Sequence, residues 1–215
     1  MEFLGGGDLQ QRMYNCNYLS EMNSKYFFIQ MVSAIKYCHG CSPPIVHRNL
    51  SPHNVLLASN EMLALIQIAD FGLAKLMSCP SSLTTYCGSE WYIALEMRRQ
   101  LDDDDADPYT PAVDVWTLGV VLHYMLFGWH PACARAHHTG LSTSTEQYGL
   151  PSNEGAFKAH CETVSEPARS LIDGMMTTDV RLRHSIEEIT GCQWFRDEGT
   201  LAQLRERIIK DTPIF

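Results

Sequence analysis

Val46-His47-Arg48-Asn49-Leu50-Ser51-Pro52-His53-Asn54-Val55-Leu56-Leu57 decides how the rest of this chain is read. Most of the stretch is a polar loop, and its last three residues are a short β-rich run. A second such run, Leu65-Ile66-Gln67-Ile68, follows the polar Ser59-Asn60-Glu61, so the pair reads as a small hairpin flanking the loop. At the centre of the loop stands Asn49. Its side chain is a neutral amide whose carbonyl can orient a hydroxyl but has no basicity with which to take a proton.

Outward from the loop, the pattern turns helical. In Leu19 to His39, Phe28, Met31, Val32, Ile35 and Cys38 recur close to every 3.6 residues, and Gly40 with Pro43-Pro44 stops the run. Val113 to Gly128 is apolar on nearly all faces and must be buried centrally. Glu166 to Thr177 and Ser185 to Gly191 read as further helices, and Leu201 to Lys210 as an amphipathic tail helix. Gly5-Gly6-Gly7 reads as a flexible turn, Cys79 to Tyr86 as an exposed loop and Asp102 to Asp107 as a solvated acidic loop. Pro131 to Leu150, with His137-His138, reads as a long surface loop. The fold class expected is mainly α, with a central buried helix and a small β-hairpin.

The chain has 215 residues, 45% of them hydrophobic, enough for one globular domain with its own core. A net charge of −9 without a basic stripe argues against a nucleic-acid binder. No secretory leader is expected at the start, and the longest apolar stretch, Val113 to Trp129, contains Asp114 and falls short of a membrane span. The expected location is therefore cytoplasmic or nuclear. The eight cysteines then read as reduced thiols. Cys38 closes the apolar face of its helix and Cys41 lies in the next loop, so their C-x-x-C spacing reads as packing and not as a zinc site.

Several of these stretches together resemble the C-terminal lobe of a eukaryotic-type serine/threonine protein kinase, over residues 1–197, with 198–215 as a helical tail. His47-Arg48-Asn49 with Asn54 is similar to the family's His-Arg-Asp-x-x-x-x-Asn loop, and Asp70-Phe71-Gly72 matches its metal-binding motif. Cys87-Gly88-Ser89-Glu90-Trp91-Tyr92-Ile93-Ala94-Leu95-Glu96 resembles the segment that closes the activation loop. Asp114 to Val120 is similar to the start of the lobe's central helix, and Asp179 to Arg183 with Trp194-Phe195 to its closing pattern. Gly6-Gly7-Asp8-Leu9 and Thr85-Tyr86-Cys87-Gly88-Ser89 resemble the calmodulin-dependent and checkpoint kinase group.

The resemblance implies roles. His47 and Phe71 stack to hold the metal-binding loop, Leu56 floors an adenine ring, and Asn54 and Asp70 hold magnesium. Asp114 accepts hydrogen bonds from the backbone of the polar loop. Glu96 and Arg183 form a buried ion pair. Thr84 and Thr85 occupy phosphorylated positions whose phosphate Arg48 would pair with.

Departures from the family bear on the chemistry. Asn49 replaces the proton-accepting aspartate, and Ser51 replaces a lysine that neutralises charge on the transferred phosphoryl group. Glu90 and Leu95 replace prolines, and His53 a glutamate. Met1-Glu2-Phe3-Leu4 falls where the family's hinge lies, and no Gly-x-Gly-x-x-Gly or Val-Ala-x-Lys occurs, so the N-terminal lobe is expected to be absent. The function implied is that of a truncated pseudokinase acting through protein binding at the face where that lobe would sit. It would take no cofactor, bind no nucleic acid and touch no membrane. The alternatives are part of a longer or split kinase, using ATP and magnesium, and a decayed copy without function.

Overall fold

The computed structural model describes residues 4–76, 91–102, 110–131, 154–196 and 198–211. Its helices are α1 (Leu9–Cys16), α2 (Glu21–His39), α3 (Leu95–Asp102), α4 (Ala112–Phe127), α5 (Glu154–Thr163), α6 (Glu166–Met175), α7 (Ile186–Gly191) and α8 (Glu198–Asp211). Four short strands, β1 (Ile45–Val46), β2 (Val55–Leu57), β3 (Ile66–Ile68) and β4 (Lys75–Leu76), pair as two antiparallel ladders, β1 with β4 and β2 with β3.

A helix that is apolar on every face belongs in the middle, and α4 is there. Every residue from Val113 to Leu122 is buried, and α2 and α6 pack against it. Burial of side chains such as Leu118, Leu122 and Met125 contributes roughly 1.5–3 kcal/mol each. At Gly119 a Cβ would come within 2.9 Å of Met175 Cβ and Met176 Cγ, so only glycine lets α6 approach this closely. The helix ends at Gly128, whose φ of 76° lies in the left-handed region and whose N–H donates to Tyr124 O. The Asn17 carbonyl occupies the space of a side chain there, so substitution would add a clash to the backbone strain.

Helix α2 starts one residue after the cap Ser20, which accepts from Asn23 N. Its first residue, Glu21, joins three elements, accepting from Ser165 N (2.9 Å), Ser165 Oγ (2.7 Å) and Trp194 Nε1 (2.6 Å). Burial alone pushes the Glu21 carboxyl up, but these donors and the Lys25 ammonium outweigh it and hold it below the ordinary value. Ser165 also caps α6, and Ser185 with Glu188 forms a capping box for α7. Helix α8 buries Thr200 and Leu204 and packs against α2.

The hairpin lies where the sequence places it, in the register Val55↔Ile68, Leu56↔Gln67, Leu57↔Ile66. The glycine triplet differs from expectation. Gly6 N donates to Leu57 O (3.0 Å) and Leu57 N to Gly7 O (2.9 Å), and Asp8 bridges Leu56, so this segment is pinned along β2. A Cβ on Gly6 would run into the carbonyls of Ser59 and Leu57, which makes close approach the reason for glycine there. Helices α1, α3 and α5 and the β1–β4 ladder were not anticipated. Among the described residues no helix is long and apolar enough to cross a membrane, and Cys38 and Cys41 are free thiols with no cluster of metal-binding side chains about them. The loop expected at Cys79 to Tyr86 lies outside the described residues, as do 103–107 and 132–150 of the loops expected at Asp102 to Asp107 and Pro131 to Leu150, while Asp102 itself closes α3.

Arg183 and Glu96 are paired. Arg183 Nη1 donates to Glu96 Oε1 (2.5 Å) and Nη2 to Oε2 (3.0 Å), while Nε donates to Thr177 O and Nη1 also to Ala112 O. The guanidinium lies over the Trp116 ring and is wholly buried. Glu96→Ala should lower stability by about 3–5 kcal/mol, because it leaves that guanidinium buried without its anion. A urea midpoint unchanged from wild type would contradict this.

Two histidines at the end of α4 set a pH dependence. Burial pushes His123 down to about 4, opposed by its bond to Trp129 O, and pushes His130 down to about 4 as well, with His123 adding to the effect. Both are therefore neutral in the fold, and the unfolded chain binds more protons between pH 6.5 and about 4. The contribution of these two histidines to stability is full above pH 6.5 and is lost as pH drops toward 4, by at most about 1.4 kcal/mol per pH unit for each. Denaturant midpoints between pH 7.5 and 4.5 should show the fall, and His123→Gln should flatten it. An equal slope in wild type and variant would refute the assignment.

Candidate functional site

The site is built on a buried carboxylate. Asp114 stands in the first turn of α4, with its side chain 1% exposed. Its Oδ2 accepts from His47 N (2.9 Å) and His39 Nε2 (2.8 Å), and its Oδ1 from Arg48 N (2.8 Å). His39, the last residue of α2, was not anticipated, and it ties a third element to the same carboxylate. The helix dipole favours a negative charge at this end of α4, so the structural and positioning roles coincide. Arg48 has φ of 66°, a left-handed conformation that costs a non-glycine residue energy and that the bonds to Asp114 hold in place.

From this anchor the loop reaches the Asp70-Phe71-Gly72 turn at several points. His47 Nε2 donates to Ala69 O (3.1 Å) while its Nδ1 accepts from Asn49 N (3.3 Å), which sets the neutral Nε2–H tautomer. The His47 and Phe71 rings meet edge to face, with centroids 4.7 Å apart. Ala69 N donates to Asn54 O (2.8 Å), which lays Asn54 beside the turn, and Arg48 Nε donates to Leu73 O (2.6 Å). Asp70 itself is left-handed, with φ of 62° and ψ of 62°, and Gly72 lies under its Oδ1.

Asn49 Nδ2 donates to Asp70 Oδ2 at 2.7 Å, and Asn54 Nδ2 donates to Asn49 O at 2.7 Å. The structure thus brings His47, Arg48, Asn49, Asn54, Asp70 and Phe71 into one constellation over Asp114. Ser51 is buried at the start of the 3-10 turn Pro52–Asn54, and Leu56 is half-buried on β2 beside the pinned glycine segment. Glu96 and Arg183 form their own structural pair. Thr84 and Thr85 lie outside the described residues, while Arg48, which would face their phosphate, is buried. His53 is exposed, 3.8 Å from Asp8.

For magnesium the residues present make a partial fit. Asp70 offers a carboxylate, and Asn54, whose amide nitrogen is engaged with Asn49 O, offers its carbonyl oxygen. These are the hard oxygen donors that magnesium takes, but two donors fill only part of its octahedron. Asn49 already occupies one oxygen of Asp70.

A model of the protein kinase domain matches residues 1–195. The ovarian-specific serine/threonine-protein kinase Lok of Drosophila melanogaster is 36% identical over 217 residues, covering 98% of this chain and 42% of that protein. The calcium/calmodulin-dependent protein kinase type II of Caenorhabditis elegans is 30% identical, covering 96% of this chain and 27% of that protein. The probable serine/threonine-protein kinase MARK-A of Dictyostelium discoideum is 33% identical, covering 90% and 16% respectively. The chain spans less than half the length of each of these relatives. With the family model covering residues 1–195 and relatives 30–36% identical over nine-tenths or more of the chain, the chain belongs to the protein kinase domain family and is serine/threonine-kinase-like.

Proposed function

We propose that this chain is a catalytically deficient kinase homologue that acts through protein binding. The observation that carries the reading is the side chain at position 49. An amide there can orient a hydroxyl through its carbonyl but cannot remove the proton, and its nitrogen is engaged with Asp70. General-base catalysis is typically worth ~10²–10⁴-fold. Ser51 compounds the loss, since it offers no ammonium to oppose phosphoryl charge. Both substitutions persist whatever sequence precedes residue 1.

The packing that supports the loop is intact, which favours a retained surface over retained chemistry. Phe71, 44% exposed, and half-buried Leu56 mark the face where a protein partner would bind. Magnesium, where bound, supplies positive charge against phosphate oxygens. Asp70 and Asn54 would hold it, and His47 keeps the turn that carries Asp70 in place. Likeness to a calcium/calmodulin-dependent kinase supports placing the chain near that group.

Thermal melting with and without millimolar ATP and magnesium should give the same midpoint, because a ligand bound only by the folded form must raise it. A rise of several degrees would restore the enzyme reading.

The surviving Asn54 and Asp70 favour a second reading, a segment of a longer or split kinase that takes ATP and magnesium. A fusion that supplies a relative's Gly-rich loop and strand lysine ahead of residue 1 tests it. Phosphotransfer by that fusion should stay at least roughly a hundredfold below the same fusion carrying Asn49→Asp and Ser51→Lys. Equal rates would overturn the assignment of these two positions.

A further inference from the structure

The bond between Asn49 and Asp70 suggests more than a lost base. Nδ2 and Oδ2 lie 2.7 Å apart, the separation of a short charge-assisted bond, and only the amide nitrogen can donate to a carboxylate. Both partners are held where they meet. The Asn49 carbonyl accepts from Asn54 Nδ2 and its N–H donates to His47 Nδ1. On the other side, Ala69 is gripped by Asn54 O and His47 Nε2, and Leu73 O by Arg48 Nε. Asp70 is left-handed between these grips, and Asn49 is the one hydrogen-bond donor to its carboxylate among the described residues.

An aspartate at position 49 would set two carboxylates against each other at this separation, and both would remain ionised comfortably only with a cation between them. Asparagine removes that requirement by meeting Asp70 with a neutral donor. It also takes one of the oxygens a divalent cation would use. We propose that Asn49 is a positioning residue that replaces a divalent cation as the partner of Asp70, holding the Asp-Phe-Gly turn without metal and competing with any metal that arrives. The inference rests on the reading of position 49 as a lost proton acceptor.

The test is manganese binding by the full chain without nucleotide, read from the electron paramagnetic resonance signal of free Mn²⁺. Asn49→Leu, which frees the Asp70 oxygen without adding charge, should tighten binding roughly 3- to 10-fold over wild type. Asn49→Asp should tighten it by more than about tenfold, since it frees the same oxygen and adds a negative charge beside Asp70. Adding Asp70→Asn to either variant should abolish the gain. Wild type binding as tightly as Asn49→Leu, or a gain that survives Asp70→Asn, would overturn the proposal. If Asn49→Asp does not fold, Asn49→Leu decides alone. Because nucleotide is absent, ATP binding by the chain would count against the proposed function and leave this comparison standing.

Discussion

Three N–H groups on one buried carboxylate organise this molecule. Asp114 accepts from His47 N, Arg48 N and His39 Nε2, and so joins the central helix to the polar loop and to the end of α2. A buried carboxylate is costly unless its lone pairs are met, and hydrogen bonds to a charged group are worth roughly 1.5–3 kcal/mol each. The same bonds hold Arg48 in its left-handed conformation, from which the next residue projects toward Asp70. Without the anchor the loop would have no fixed geometry to present.

The Asp114 anchor, the His47–Phe71 contact and the Arg183–Glu96 pair are all in place. Position 49 carries an amide that donates to Asp70 and position 51 a buried hydroxyl residue, and both sit within this packing. The polar loop behaves as a structural clamp on the Asp-Phe-Gly turn, through His47, Arg48, Asn49 and Asn54.

What the sequence revealed and what it hid follow from the range of the interactions. The central helix was legible because an apolar run of that length has only a buried home, and α2 because its apolar residues keep a helical period. The β2–β3 hairpin was legible from two β-rich runs around a polar turn. Helices α1 and α3 are only eight residues each, about two turns, too short for an apolar period to stand out in the sequence. The glycine triplet looked free because its partners, Leu57 and Ser59, are far along the chain. His39 and Asp114 are 75 residues apart, and no local pattern marks that bond. The Asn49–Asp70 contact was hidden likewise, since it exists only once Asn54 and His47 have folded Ala69 against the loop.

The proposed function is a kinase scaffold without phosphotransfer. It is tested most directly by incubating the chain with γ-labelled ATP, magnesium and a generic serine/threonine peptide and following label in peptide and protein over hours. No incorporation above that of a matched Asp70→Asn control is expected. Time-dependent labelling that the control lacks would contradict it.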